Sequence, residues 1–201
     1  MKYLATCFAL ICILLLSCNS NNQKSSTKAP IVAQTSTKNK PAKQEVQVGN
    51  KVNTPDLAKA NGALFLAPQD TKIKSGEEGC VSFKTKYFKD IVSMQYSINW
   101  DAEQLIFSQI KDIKLQDLQT KNFGKHIIDQ GKMTFSWYDP SIRGVSLPDD
   151  AELYKICFKA KGAPGSKSKI LFTEDPIVVE ITAKNAQFLK FHSQPGTVVI
   201  E

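Results

Sequence analysis

Ser93-Met94-Gln95-Tyr96-Ser97-Ile98-Asn99-Trp100 is the stretch that decides the fold class. Its large apolar side chains fall at Met94, Tyr96, Ile98 and Trp100, and its small or polar ones at Ser93, Gln95, Ser97 and Asn99. A strand turns successive side chains to opposite faces, so this period of two makes one apolar face and one wet face. Working outward, the same alternation recurs. Val81, Phe83 and Thr85 alternate with Cys80, Ser82 and Lys84; Met133, Phe135 and Trp137 with Thr134, Ser136 and Tyr138; Tyr154, Ile156, Phe158 and Ala160 with Lys155, Cys157, Lys159 and Lys161. Residues 63–67, 170–173, 177–181 and 197–200 add shorter apolar runs. Turn residues separate them: Gly124, Gly131-Lys132, Asp139-Pro140, Leu147-Pro148-Asp149-Asp150 and Gly162-Ala163-Pro164-Gly165. Residues 105–118 are the only stretch that reads in part as helix, and Leu105, Phe107, Ile110 and Ile113 fit a strand followed by a loop or short helical turn. The expectation is an all-β domain over residues 60–201, a two-sheet antiparallel β-sandwich.

Upstream the composition changes. Residues 19–58 are rich in Asn, Ser, Thr, Gln and Lys, carry Pro30, Pro41 and Pro55, and contain no aromatic residue. Such a stretch buries too little apolar surface to offset the entropy of ordering, so residues 18–59 are expected to form a disordered tether. As a flexible coil of about 40 residues its r.m.s. span is ~35 Å. Six lysines against Glu45 give residues 19–54 a charge of +5, and Lys2 adds one. Of the formal +7, only +1 therefore belongs to residues 55–201, and a nucleic-acid partner loses its electrostatic support.

The first seventeen residues have the layout of an export signal: Lys2, an apolar run from Leu4 to Leu16 broken only by Thr6, then Ser17 before Cys18. The run is shorter than the ~20 residues a spanning helix needs. Leu15-Leu16-Ser17-Cys18 resembles the lipobox of bacterial lipoproteins, which implies cleavage after residue 17 and lipid on Cys18. Two or more acyl chains hold a protein stably on a membrane. The expected place is the bacterial envelope, lipid-anchored. Asn19, rather than an aspartate, favours the outer membrane; either leaflet orientation stays open.

Few residues offer chemistry. His126 and His192 stand apart without an HExxH or Cys/His cluster, so no metal site is expected. There is no GxSxG and no glycine-rich phosphate loop. Glu77-Glu78 and Asp149-Asp150 read as solvated turn acids, since nothing sets a second carboxylate at a glycosidase separation. No catalytic residue and no cofactor is expected beyond the covalent lipid. Trp100, Trp137, Tyr138 and Phe88 are the candidates for a sugar-stacking platform; the register of Trp100 and Trp137 points them to the core and that of Tyr138 outward.

The segments Phe88-Lys89-Asp90-Ile91-Val92-Ser93-Met94-Gln95-Tyr96-Ser97-Ile98-Asn99-Trp100-Asp101, Leu105-Ile106-Phe107, Gly131-Lys132-Met133-Thr134-Phe135-Ser136-Trp137 and Leu153-Tyr154-Lys155-Ile156-Cys157-Phe158, in that order, resemble a cohesin domain. The resemblance covers nearly all of residues 62–201. It implies a jelly-roll sandwich related in architecture to carbohydrate-binding modules, and a protein partner, dockerin-like or other, held on one sheet face. By alternation the outward residues of the matching strands are Ser93, Gln95, Ser97, Asn99, Thr134, Ser136 and Tyr138. Carbohydrate capture linked to polysaccharide use and a purely structural envelope role are the alternatives.

After removal of residues 1–17, Cys80 and Cys157 remain beside Cys18, in a compartment where disulfides persist. Alternation puts both off the core side of their strands. The resemblance makes those strands antiparallel neighbours, which implies two sulfurs side by side on the outer surface and a cross-strand disulfide. Two free thiols remain the rival reading.

Overall fold

The computed structural model describes residues 62–201 and, upstream, the backbone of Gln47–Val48. The strands are β1 (Gln47–Val48), β2 (Ala63–Pro68), β3 (Thr71–Ile73), β4 (Glu78–Lys86), β5 (Ile91–Asn99), β6 (Leu105–Lys111), β7 (Phe123–Gly124), β8 (Lys132–Tyr138), β9 (Ala151–Ala160), β10 (Lys167–Thr173), β11 (Glu180–Ala183), β12 (Gln187–Phe188), β13 (Lys190–Ser193) and β14 (Gly196–Ile200). The expected signal peptide, Cys18 and the expected tether, apart from β1, lie outside the described residues.

Two sheets face each other. Sheet one runs β1-β13-β2-β4-β9-β6. In sheet two, β5 is central. One of its edges pairs with β8, which carries β7; the other is shared end to end by β10, opposite residues 97–99, and β11, opposite residues 91–95. Beyond these lie β14 and β3 on one side and β12 on the other. Most pairs are antiparallel; β13 with β1 and β2, and β14 with β3, are parallel.

Alternation decides the core, as the quoted stretch predicts. Met94, Tyr96, Ile98 and Trp100 are buried, and so are Val81, Phe83, Met133, Phe135, Trp137, Tyr154, Ile156 and Phe158. Tyr96 from sheet two and Tyr154 from sheet one meet in the middle, hydroxyl to hydroxyl at 2.9 Å. Their rings stack with Phe135 and Phe83, with centroids at 4.4 Å for Tyr96–Phe135 and 4.8 Å for Phe83–Tyr154. Burial raises both phenols above their ordinary range, so they stay neutral and satisfy each other. Tyr154→Phe should therefore cost about 1–3 kcal/mol by leaving the Tyr96 hydroxyl unpartnered. The double replacement with Tyr96→Phe should recover much of it. A urea-denaturation double-mutant cycle measures this, and additive losses would refute the pairing.

Residues 105–118 form the expected strand, β6, followed by a loop that buries Leu115 and Leu118. The structure differs from the sequence reading at two places. The strand expected over 177–181 begins only at Glu180; residues 174–179 leave the ladder and pass over the outer face of β5. Phe88 is buried against Trp137, not exposed as a stacking platform requires, and Trp100 and Trp137 are buried as their register demands.

A candidate partner-binding face

The candidate face is the outer side of sheet two. Residues opposite each other in a ladder share a face. Tyr138 on β8 is opposite Ser93 on β5, Ser93 opposite Thr182 on β11, and Thr182 opposite Phe188 on β12. One row thus crosses four strands with an aromatic ring at each end. Tyr138 is 65% exposed and Phe188 63%. Three strand spacings separate them, ~14 Å. The next row is Ser136, Gln95 and Glu180, and the one after begins Thr134 and Ser97.

Of the residues expected on this face, Ser93, Gln95, Thr134, Ser136 and Tyr138 share it. Ser97 is a correction. Its side chain points outward, yet it is fully buried, because residues 174–179 cross above it. Its hydroxyl donates to the Ile177 carbonyl at 3.1 Å and accepts from the Ile177 amide at 3.0 Å. Gln95 Nε2 reaches the Val178 carbonyl at 3.5 Å, so the same segment also borders Gln95. Asn99 lies beneath its far end, 3.1 Å from the Thr173 hydroxyl, and Lys132 clasps Asp175 at 2.5 Å. This cover presents Val178, 53% exposed, as a new apolar contact.

Ile142, 74% exposed, stands beyond Tyr138 in the loop after β8. Asp139 holds that loop. Its carboxylate accepts from the Ser141 hydroxyl at 2.7 Å, the Ser141 amide at 2.8 Å and the Gly144 amide at 2.9 Å. Led by the Ser141 hydroxyl, these donors hold its carboxyl below the usual range. The ionised form is thus the one that keeps the loop shaped at neutral pH. Ile142 itself takes a positive φ of 55°, a conformation the tethered loop must impose on a β-branched residue. Phe188, Val178 and Ile142 escaped the sequence reading. Alternation cannot rank an aromatic in a two-residue strand, nor loop residues whose place depends on distant partners.

On sheet one, Cys80 stands opposite Cys157 in the β4–β9 ladder, and a disulfide joins them. Cys80 is half-buried but Cys157 is fully buried, which corrects the expectation of two sulfurs on an open surface. The reason is that β9 is an interior strand, flanked by β4 and by β6, whose Gln109 faces Cys157. Glu78 lies beside the sulfurs, but these are bonded to each other, and its carboxylate takes hydrogen bonds from Ser108, Gln109 and Lys111. Of the other acidic turns, Asp149 accepts the Tyr87 amide at 2.8 Å and Asp150 pairs with Lys86 at 3.6 Å.

Known proteins share this two-sheet frame. A model of the cohesin domain matches residues 68–188, more than half the chain. The chain belongs to the cohesin family. Cohesin domains are non-catalytic protein-binding modules, and no curated protein matches this cohesin significantly. Among solved structures, a Clostridium thermocellum cohesin in complex with a dockerin is similar at 15% identity and a TM-score of 0.59, covering 69% of this chain and 99% of that one. The sixth cohesin of Acetivibrio cellulolyticus scaffoldin B, solved with a dockerin, gives 18%, 0.58, and 69% and 99% coverage. A non-cellulosomal cohesin from Archaeoglobus fulgidus gives 14%, 0.55, and 69% and 91%. At these identities the likeness speaks for the fold.

Proposed function

We propose that this cohesin is a lipid-anchored attachment module whose partner is a protein, dockerin-like or other, docked across β8, β5, β11 and β12. The observation that carries the reading is the row from Tyr138 to Phe188. Exposed large apolar residues are where binding energy concentrates, and here Val178 and Ile142 add to the two rings. Two rings at opposite ends of a row, with aliphatic side chains near, suit a protein surface better than a stacked sugar chain. The relatives solved with dockerins support the partner class. Anchoring rests on Leu15-Leu16-Ser17-Cys18 and the polar stretch after it, and places the module in the bacterial envelope, on the outer membrane. Attachment there, including to machinery for polysaccharide use, is the role proposed.

Affinity capture from envelope extract with the mature chain tests the partner, run beside the Tyr138→Ala, Phe188→Ala double variant. A protein retained by the parent and lost by the variant is the expected result. Equal retention by both moves the site elsewhere, and retention of polysaccharide alone favours the carbohydrate reading. For the anchor, Cys18→Ala should shift the protein from the membrane to the soluble fraction. An N-terminal peptide without acyl mass on Cys18 in the parent would refute lipidation.

A further inference from the structure

The loop after β8 holds a residue that its own folding disfavours. Asp139–Ile142 is a β-turn: the Ile142 amide donates to the Asp139 carbonyl at 3.1 Å, and Pro140 takes the second position, where its fixed φ is favoured. Ile142 then turns the chain back at a φ of 55°. Glycine or asparagine meets that conformation with little strain, whereas a β-branched side chain crowds its own backbone there. The ends of the loop leave it no freedom to relax. The Asp139 amide donates to the Val92 carbonyl at 2.7 Å, and Val145 exchanges both backbone hydrogen bonds with Ile91, at 2.8 and 2.9 Å. Gly144 lies so close to Asp90 that a Cβ there would come within 2.9 Å of its backbone. Burial gives Ile142 nothing in return, since at 74% it is the most exposed large apolar side chain among the described residues. Strain kept without benefit to the fold marks a residue held for a contact outside it.

Charge says what that contact is. Arg143 and Lys89, each one residue from the close approach of Gly144 to Asp90, are both exposed. Neither has an ion-pair partner among the described residues. The carboxylates beside them are already engaged: Asp90 meets the Lys184 ammonium at 2.9 Å, and Asp139 is buried among its Ser141 and Gly144 donors. On the far side of the same face the sign reverses. Glu180 stands opposite Gln95, and exposed Glu174 lies in the segment that crosses β5. Neither is ion-paired among the described residues, whereas Asp175 is held by Lys132. Like charges brought together at an interface oppose binding, so the surface that receives Ile142 has to bring carboxylates to Arg143 and Lys89.

Resting on the reading of sheet two as the partner face, we propose that the partner seats Ile142 in an apolar pocket bordered by carboxylates that meet Arg143 and Lys89. The loop is then a third anchor beyond the Tyr138 row, delivered already in its bound shape, so that little order is lost on docking. Asp139 is a positioning residue: buried beneath the loop, its carboxylate fixes the shape without reaching the partner. Cations at one end of the face, with Glu174 and Glu180 at the other, give the partner one favoured orientation on the sheet.

Photocrosslinking of the full-length chain in envelope extract tests it, with benzoylphenylalanine in place of Ile142 and, separately, of Tyr138. One protein linked from both positions is expected, and its peptide linked through position 142 should hold more Asp and Glu than Lys and Arg. A link through position 138 alone, or a neutral or basic peptide at position 142, overturns the inference and leaves the partner face standing. No link from either position removes both. Ile142→Gly should raise the urea midpoint by roughly 0.3 M, as the strain is released, and weaken retention of the linked protein roughly tenfold. A midpoint below the parent's would show that Ile142 serves the fold, and either that or the parent's retention would reject the proposal. Arg143→Glu combined with Lys89→Glu should weaken retention roughly tenfold at about 50 mM salt and far less at about 500 mM. A loss independent of salt, or parent retention at both, would refute the carboxylate border.

Discussion

Replacing both Cys80 and Cys157 with alanine is expected to lower the stability of the domain by ~2–4 kcal/mol. The disulfide spans 77 residues, a loop that includes β5, β6 and β8 and therefore ties both sheets into one closed circuit. Its contribution lies mainly in the unfolded chain, whose freedom the cross-link restricts over that length. Two signs distinguish this from a packing loss. The urea midpoint should fall, and the slope of the transition should rise, because an unlinked unfolded chain exposes more surface. Partner binding should persist wherever the variant remains folded, since the bond lies in sheet one and the candidate face in sheet two. A variant with the parent's midpoint, or two thiols titrating per chain in the unreduced parent, would contradict the prediction.

Tyr138→Ala and Phe188→Ala are each expected to cost about 2 kcal/mol of partner affinity, the range of an interface anchor. Their separation of ~14 Å exceeds the distance over which substitutions couple, so the double variant should lose about 4 kcal/mol, roughly a thousandfold in Kd. Ser136→Ala, next to Tyr138 on the same face of β8, should change binding little. Isothermal titration with the captured partner reads the parent and all four variants against unchanged circular dichroism. Loss confined to Tyr138→Ala would restrict the site to the β8 side, and parent affinity in the double variant would remove this face from consideration.

The candidate site was only partly legible from residues. Gln95, Ser136 and Tyr138 followed from counting by twos along β5 and β8. Ser97 followed too, as far as its direction goes, but its exposure was wrong because Ile177 lies on it. Phe188 reaches the row through the pairing of Thr182 with Ser93, a contact between residues far apart in the chain.

By itself the sequence determined the class of the domain, the core set around Tyr96, Phe135, Tyr154 and Phe158, and the strands that present Cys80 and Cys157. Those are consequences of side-chain alternation, a local rule that assigns each residue to one face of its own strand. Tertiary structure alone decided what lies beside and above each face: β6 pairing beside Cys157, residues 174–179 covering Ser97, and Tyr138 and Phe188 in one row. Alternation carries no information about these, because strand neighbours and crossing loops are chosen by pairing between distant segments, and that choice sets which outward residues meet water.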